Sequence, residues 1–284
     1  VKATLDELLQ SCPTGRQALT AFTCYNLEQA TAVVEAAEAA ESPLCLLLAE
    51  KAFRGRAGEL LAATLVAVAE QAKVPTCVQL DHVGSLETMH KALDSGVTAL
   101  MADGSKLPLP ENTTLVAQAV ELAQRYEASV EAELGRIEGD EDTALGATAG
   151  AMTDPVQAAA FITDTGAHAL AVAIGNVHGT YRTPPVLDWQ RLQAITTKPG
   201  AHITLHGASG LTASDITQAI THGVVKININ TELRRRYFES LHQAVPAHTD
   251  GWRLLDLSHA LTASVADTAT QLLNRNRLAA PAGS

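Results

Sequence analysis

The stretch TCVQLDHVGS, Thr76–Ser85, decides how the chain is read. An apolar run alternating with small polar residues stops abruptly at Asp81-His82. A glycine follows, and then the helical pattern SLETMHKALDSG. A short strand that ends in reactive side chains and gives way to a helix is one unit of a parallel β/α fold.

The same unit recurs on both sides. ALTAF precedes LEQATAVVEAAEAAE, and PLCLLLA precedes GELLAATLVAVAEQA. TALMA precedes PENTTLVAQAVELAQRYE, and SVEAEL precedes a polar loop and DPVQAAAFITDTG. ALAVAIG, HITLHG and VVKININ precede LDWQRLQAIT, TASDITQAITHG and TELRRRYFESLHQAV. These eight strand–helix pairs, with no composition break, predict a TIM (β/α)8 barrel over residues 1–284 as one domain. An open doubly wound sheet is the alternative. Residues 252–278 add a C-terminal helical arm outside the eight units, free to pack on a neighbouring subunit.

Composition narrows the function classes. The 284 residues carry a formal net charge of -11, which argues against a nucleic-acid partner, since phosphate backbones need a basic face. It leaves room for a small anion at a local site. No run approaches the ~18 apolar residues of a membrane span. VKATLDELLQ lacks the charged-then-apolar order of a signal peptide. Cys12, Cys24, Cys45 and Cys77 form no close pair and read as reduced thiols of a cytoplasmic protein.

Barrel chemistry sits at the C-terminal ends of the strands. Those ends carry Asp81-His82, Asp103-Gly104-Ser105, Glu131 and Glu133, His178-Gly179, His206-Gly207-Ala208-Ser209, and Asn228, Asn230 and Thr231. One histidine at such a place is usually a hydrogen-bonded side chain. Three on one face, His82, His178 and His206, suggest Zn²⁺ with a position left open. Asp81, beside a ligand, is suited to exchange a proton with substrate oxygen. Asp103 and Glu133 are placed either to orient a histidine or hold a second metal position, or to form an interior ion pair. GRIEGDEDTALGATAGAMTD reads as a lid carrying acids, or as a solvated charge cluster. HGASG and NINTEL suggest a phosphate site at a helix N-terminus, although Ser, Thr and Asn also serve as plain caps.

With these residues in view, the chain resembles the class II, zinc-dependent ketose-bisphosphate aldolases of the fructose-1,6- and tagatose-1,6-bisphosphate type. LDH, ALMADGS, VEAELGRIEGDED, AVAIGNVHGTY, LHGASG and KININTEL carry the resemblance. It implies reversible cleavage to dihydroxyacetone phosphate and an aldehyde such as glyceraldehyde 3-phosphate. It implies zinc on His82, His178 and His206, with Asp103 and Glu133 at alternate or outer positions. Asp81 would act on the C4 oxygen and Glu141 on the triose-phosphate carbon. Gly179, Gly207, Ser209, Asn228, Asn230 and Thr231 would cradle the phosphorylated half, beside a monovalent cation (Na⁺ or K⁺). A homodimer or homotetramer is expected, with Arg275 or Arg277 of the arm reaching the distal phosphate.

Four positions depart from the family pattern: Thr23, Leu47, Ala49 and Asn230. They face substrate, so another phosphorylated keto sugar, such as deoxy-keto-gluconate phosphate, is an alternative, as is a non-catalytic sugar-phosphate-binding paralogue. A Schiff-base aldolase would need a strand lysine, and Lys226 is the candidate.

Overall fold

A computed structural model describes residues 1–139, 146–179, 181–197, 200 and 202–278. Strands β1 (Leu19–Thr23), β2 (Leu44–Ala49), β3 (Thr76–Val83), β4 (Ala99–Ala102), β5 (Ser129–Leu134), β6 (Ala169–Val172), β7 (His202–Leu205) and β8 (Val224–Ile229) close into a barrel in chain order. Every pair is parallel, and β8 returns to β1. The closed barrel is the expected TIM fold; the doubly wound alternative is excluded.

Helix α1 (Leu5–Ser11) precedes β1, and α2 (Leu27–Ala39) follows it. After β2 come the single turn α3 (Glu50–Phe53) and then α4 (Gly55–Gln71). Helices α5 (Leu86–Asp94), α6 (Leu109–Gln124), α7 (Pro155–Thr165), α8 (Trp189–Thr196), α9 (Ala213–Thr221) and α10 (Thr231–Ala244) follow β3 to β8 in turn. A last helix, α11 (Leu254–Arg275), completes the set. Polar caps fix several starts. Ser85 accepts from the Thr88 N–H, Asp154 from Val156 and Gln157, and Thr212 forms a reciprocal capping box with Asp215.

Outward strand residues such as Phe22, Leu46, Leu80 and Val130 pack under the helices. The barrel interior is layered. Its lower part is apolar, with Leu19, Cys45, Leu47 and Cys77 meeting Leu5, Leu8 and Leu9 of α1. That short helix, started by the Thr4–Glu7 capping box, plugs the N-terminal end. The layer above is polar: Gln79, Glu131, Thr204 and Lys226, each 0% exposed.

Helix α11 buries Leu261, Val265, Ala269, Leu272 and Leu273. Through these residues it packs on α2 and α10 of its own chain.

Candidate active site

Asp81 and His82 occupy neighbouring positions of β3, which in a regular strand point to opposite faces. Both nevertheless line one cavity. The ladder to β4 shifts register between Leu80 and Val83, and His82 takes φ 54°. That left-handed backbone is uncommon for a residue with a side chain. The irregularity re-aims the imidazole so that acid and imidazole share one side.

His178 stands in the loop after β6. Its N–H donates to the Glu138 carbonyl at 2.7 Å, and its Nδ1 to the Ile137 carbonyl at 3.2 Å. Gly139 makes this approach possible, because a Cβ there would stand 2.3 Å from the His178 carbonyl oxygen. His206 directly follows β7. The three imidazole centroids lie 4.8, 5.1 and 5.7 Å apart.

The outer partners fix the tautomers. His82 Nδ1 faces Asp103 Oδ2 at 2.9 Å, and His206 Nε2 faces Glu131 Oε1 at 2.7 Å. With His178 Nδ1 on a carbonyl, each of these nitrogens carries a proton. With all three rings neutral, as metal binding requires, the remaining nitrogens turn lone pairs toward one another. His206 Nδ1 is 3.2 Å from His82 Nε2 and 3.5 Å from His178 Nε2. A single added proton would relieve one of these contacts, not both. Ligand nitrogens ~2.0–2.1 Å from a tetrahedral zinc stand ~3.3 Å apart, which is close to the spacing seen here. The residues fit a metal ion. His82, Asp103 and Glu133 form a second possible ligand group.

Burial holds the His178 pKa well below the ordinary histidine range, helped by His82 and His206. Burial also opposes charge on His82, but Asp81, Asp103 and Glu133 outweigh it and push its pKa up to about 10. Asp103 is half-buried, which opposes its charge, yet its bond to His82 keeps its carboxyl low. Burial, with Asp103 nearby, pushes Glu133 up to about 7. Asp81 Oδ1 and Glu133 Oε2 are buried acceptors that find no hydrogen-bond partner among the described residues.

Beneath the histidines, Glu131 is the hub that the sequence reading left without a role. It accepts from His206, from Thr204 Oγ1 at 2.7 Å, from Gln79 Nε2 at 3.0 Å and from Lys226 Nζ at 2.7 Å. Lys226 and His206 overcome the burial cost and hold its carboxyl well below its usual range. The available signal was parity: Glu131 shares its strand face with Glu133, as Lys226 does with Asn228.

The expected phosphate residues separate into two groups. Asn230 lines the cavity; its amide donates to Tyr25 Oη at 2.9 Å and its side chain does not cap α10. Plain capping therefore does not explain NINTEL. Gly179 and Thr231 are buried, and Gly207 takes φ 65° with Val177 O only 2.1 Å from where a Cβ would lie. The Ser209 hydroxyl is engaged, donating to Glu232 Oε2 at 2.6 Å. Asn228 lies deeper, accepting from Lys226 at 2.6 Å and approaching His206 Nε2 at 3.1 Å. It is part of the network under the histidines, not of the cavity wall.

The two arginines of the arm differ in placement. Arg275 is half-buried, with Nη1 4.0 Å from Glu232 Oε1 in its own α10. Arg277 is exposed and forms a backbone bridge with Gln17. Neither lines the cavity of its own chain. Glu141 lies outside the described residues. Of the four departures, Thr23 and Leu47 are buried in strands, whereas Ala49 and Asn230 reach the cavity.

The cavity measures about 440 Å³ and brings Asp81, His82, Asp103, Glu133 and His178 together at its floor. A family model described as Fructose-bisphosphate aldolase class-II matches residues 3–277. The chain belongs to this family. Among solved structures, the YdjI aldolase of Escherichia coli K12 is similar at 30% identity over 97% of each chain, with a TM-score of 0.86. A putative fructose-1,6-biphosphate aldolase from Coccidioides immitis is 30% identical over 92% of this chain and 91% of its own, with a TM-score of 0.84. The fructose-bisphosphate aldolase of Campylobacter jejuni, 19% identical, shares the fold with a TM-score of 0.77 over 97% of this chain and 95% of its own. For a class II aldolase, the floor described above is the natural place for the reaction.

Proposed function

We propose that this class II aldolase is zinc-dependent and reversibly cleaves a ketose phosphate, of the fructose- or tagatose-1,6-bisphosphate type, to dihydroxyacetone phosphate and an aldehyde. One observation carries the reading: three imidazole nitrogens converge, at 3.2 and 3.5 Å, beside a buried Asp81 oxygen that has no hydrogen-bond partner among the described residues. His82, His178 and His206 would hold the metal, which when bound polarises the ketose carbonyl and spreads the charge left by bond cleavage.

The chain's own residues do the rest. Asp81 accepts the C4 hydroxyl proton as the C3–C4 bond breaks and C4 becomes the aldehyde carbon. The bonding pair stays on C3, next to the C2 carbonyl. Glu141, two residues along the sequence from Gly139 of the cavity lining, supplies the proton that C3 takes up. Asp103 holds the His82 ring and Glu131 the His206 ring. Asn230 and the open first turn of α10 favour an anion on the triose side.

A homodimer or homotetramer belongs to this proposal. Trp252, Leu254 and Leu255 at the start of α11 stand 76%, 74% and 72% exposed, an apolar group that association would cover.

The test is a screen of the zinc-loaded protein against fructose, tagatose, sorbose and deoxy-keto-gluconate phosphates. Cleavage of at least one is expected, and Asp81→Asn should slow it by about 10²-fold or more. Zinc retained with no cleavage of any would favour the non-catalytic reading.

A further inference from the structure

The cavity is segregated by charge. Its floor holds the carboxylates Asp81, Asp103 and Glu133 around the histidines. Its outer wall, among the described residues, holds Lys51, Arg54, Lys106 and Arg136 against Glu50 and Glu138. Four cations face two carboxylates there, in a chain whose net charge is -11. A local excess of positive charge on an acidic protein suits an anionic ligand.

Position divides the cations. Asp81 acts on the C4 oxygen in the proposed reaction, so carbons beyond C4 extend past Asp81. The residue level with Asp81 on β2 is Ala49, its register partner. Ala49 offers no hydrogen-bonding side chain. Directly after it, the single turn α3 is anchored by buried Phe53 and turns Glu50, Lys51 and Arg54 into the cavity wall. Residues three and four apart share a helical face, which groups these three. Arg54 meets Glu50 at 3.3 Å. An exposed pair of this kind is weak, and guanidinium binds a planar or tetrahedral oxyanion better. Arg136 is tied to Glu138 at 2.8 Å on the other side.

We infer that Lys51 and Arg54, following β2 of the same chain, bind the anionic group at the end of the sugar remote from the metal and set aldehyde specificity. This rests on the aldolase reading. It gives the distal anion to residues in cis, in place of Arg275 or Arg277 from a neighbour. Phosphate and carboxylate share the required chemistry, and the test separates them.

The zinc-loaded protein is run in the synthetic direction, with dihydroxyacetone phosphate and three aldehydes: glyceraldehyde, glyceraldehyde 3-phosphate and 2,3-dihydroxy-4-oxobutanoate. One anionic aldehyde should exceed glyceraldehyde in kcat/KM by at least about tenfold, and which one identifies the anion. In Lys51→Gln/Arg54→Gln that ratio should collapse toward one, chiefly through KM of the anionic aldehyde. Thermal unfolding and zinc content of the double variant, and each single variant, check that folding is intact. Product from all three aldehydes at equal efficiency overturns this inference alone, as does a ratio unchanged in a folded double variant. No product from any aldehyde overturns the aldolase reading, and this inference with it.

Discussion

Glu131 Oε1 stands 2.7 Å from His206 Nε2, and the same carboxylate's other oxygen stands 2.7 Å from Lys226 Nζ. One fully buried acid thus fixes the tautomer of His206, a proposed ligand, and neutralises a fully buried lysine. Its two duties make it the residue through which the barrel interior acts on the site.

Replacing Glu131 with Gln should separate these duties. Loss of an outer-shell carboxylate typically weakens metal affinity ~10–100-fold. Zinc competition against a chelator should show a loss of that size. The substitution also leaves Lys226 buried without its counter-charge, so unfolding free energy should fall by about 3–5 kcal/mol. An unchanged zinc affinity would mean that His206 keeps its orientation without Glu131.

Lys226 should not form a Schiff base. Burial alone would lower its pKa, but Glu131 and its other neighbours raise it above the ordinary lysine value. A nucleophilic lysine must be neutral. Borohydride with dihydroxyacetone phosphate should therefore leave the mass of the intact protein unchanged. A trapped adduct at Lys226 would move the chemistry to the Schiff-base class.

Metal loading should release protons near neutral pH. In the metal-free protein the His82 pKa is raised from 6.5 to about 10, so its imidazole is charged at pH 7. A ligand nitrogen must shed its proton to bind. Affinity should then rise with pH up to that value and fall as pH drops. Calorimetric titration of zinc in two buffers of different ionisation enthalpy reads the proton count directly. Identical heats in both buffers would contradict it.

The barrel and the histidine triad were legible in sequence because both are periodic or terminal features. Eight strand–helix alternations and polar residues at strand ends survive translation into three dimensions. Glu131 was harder to read, since its partners Gln79, Thr204, His206 and Lys226 come from three other strands, and only closure of the barrel brings them together. The turn at His82 depends on a register shift that a sequence of ordinary strand residues does not advertise. The cations of α3 went unnoticed because KAFR reads as an exposed helix start until Ala49 is seen level with Asp81.

The last residues of α11 should prove structural. Asn276 is fully buried; its side chain donates to Thr20 Oγ1 at 3.0 Å, and its carbonyl accepts from the Ala18 N–H at 3.0 Å. Leu278 N–H donates to the Arg16 carbonyl at 2.8 Å, and Leu273 is buried in the core. These bonds tie the end of the helix to the strand that closes the barrel against β8. Asn276→Ala removes a buried donor and strands the Thr20 hydroxyl, at a cost of about 1–3 kcal/mol. Truncation after Leu272 removes all of these contacts with Leu273 and should cost more, lowering the thermal midpoint and zinc retention together. Thermal denaturation of both variants checks the order. A truncated protein with an unchanged midpoint and a raised KM for the bisphosphate alone would instead return the arginines of this arm to substrate binding.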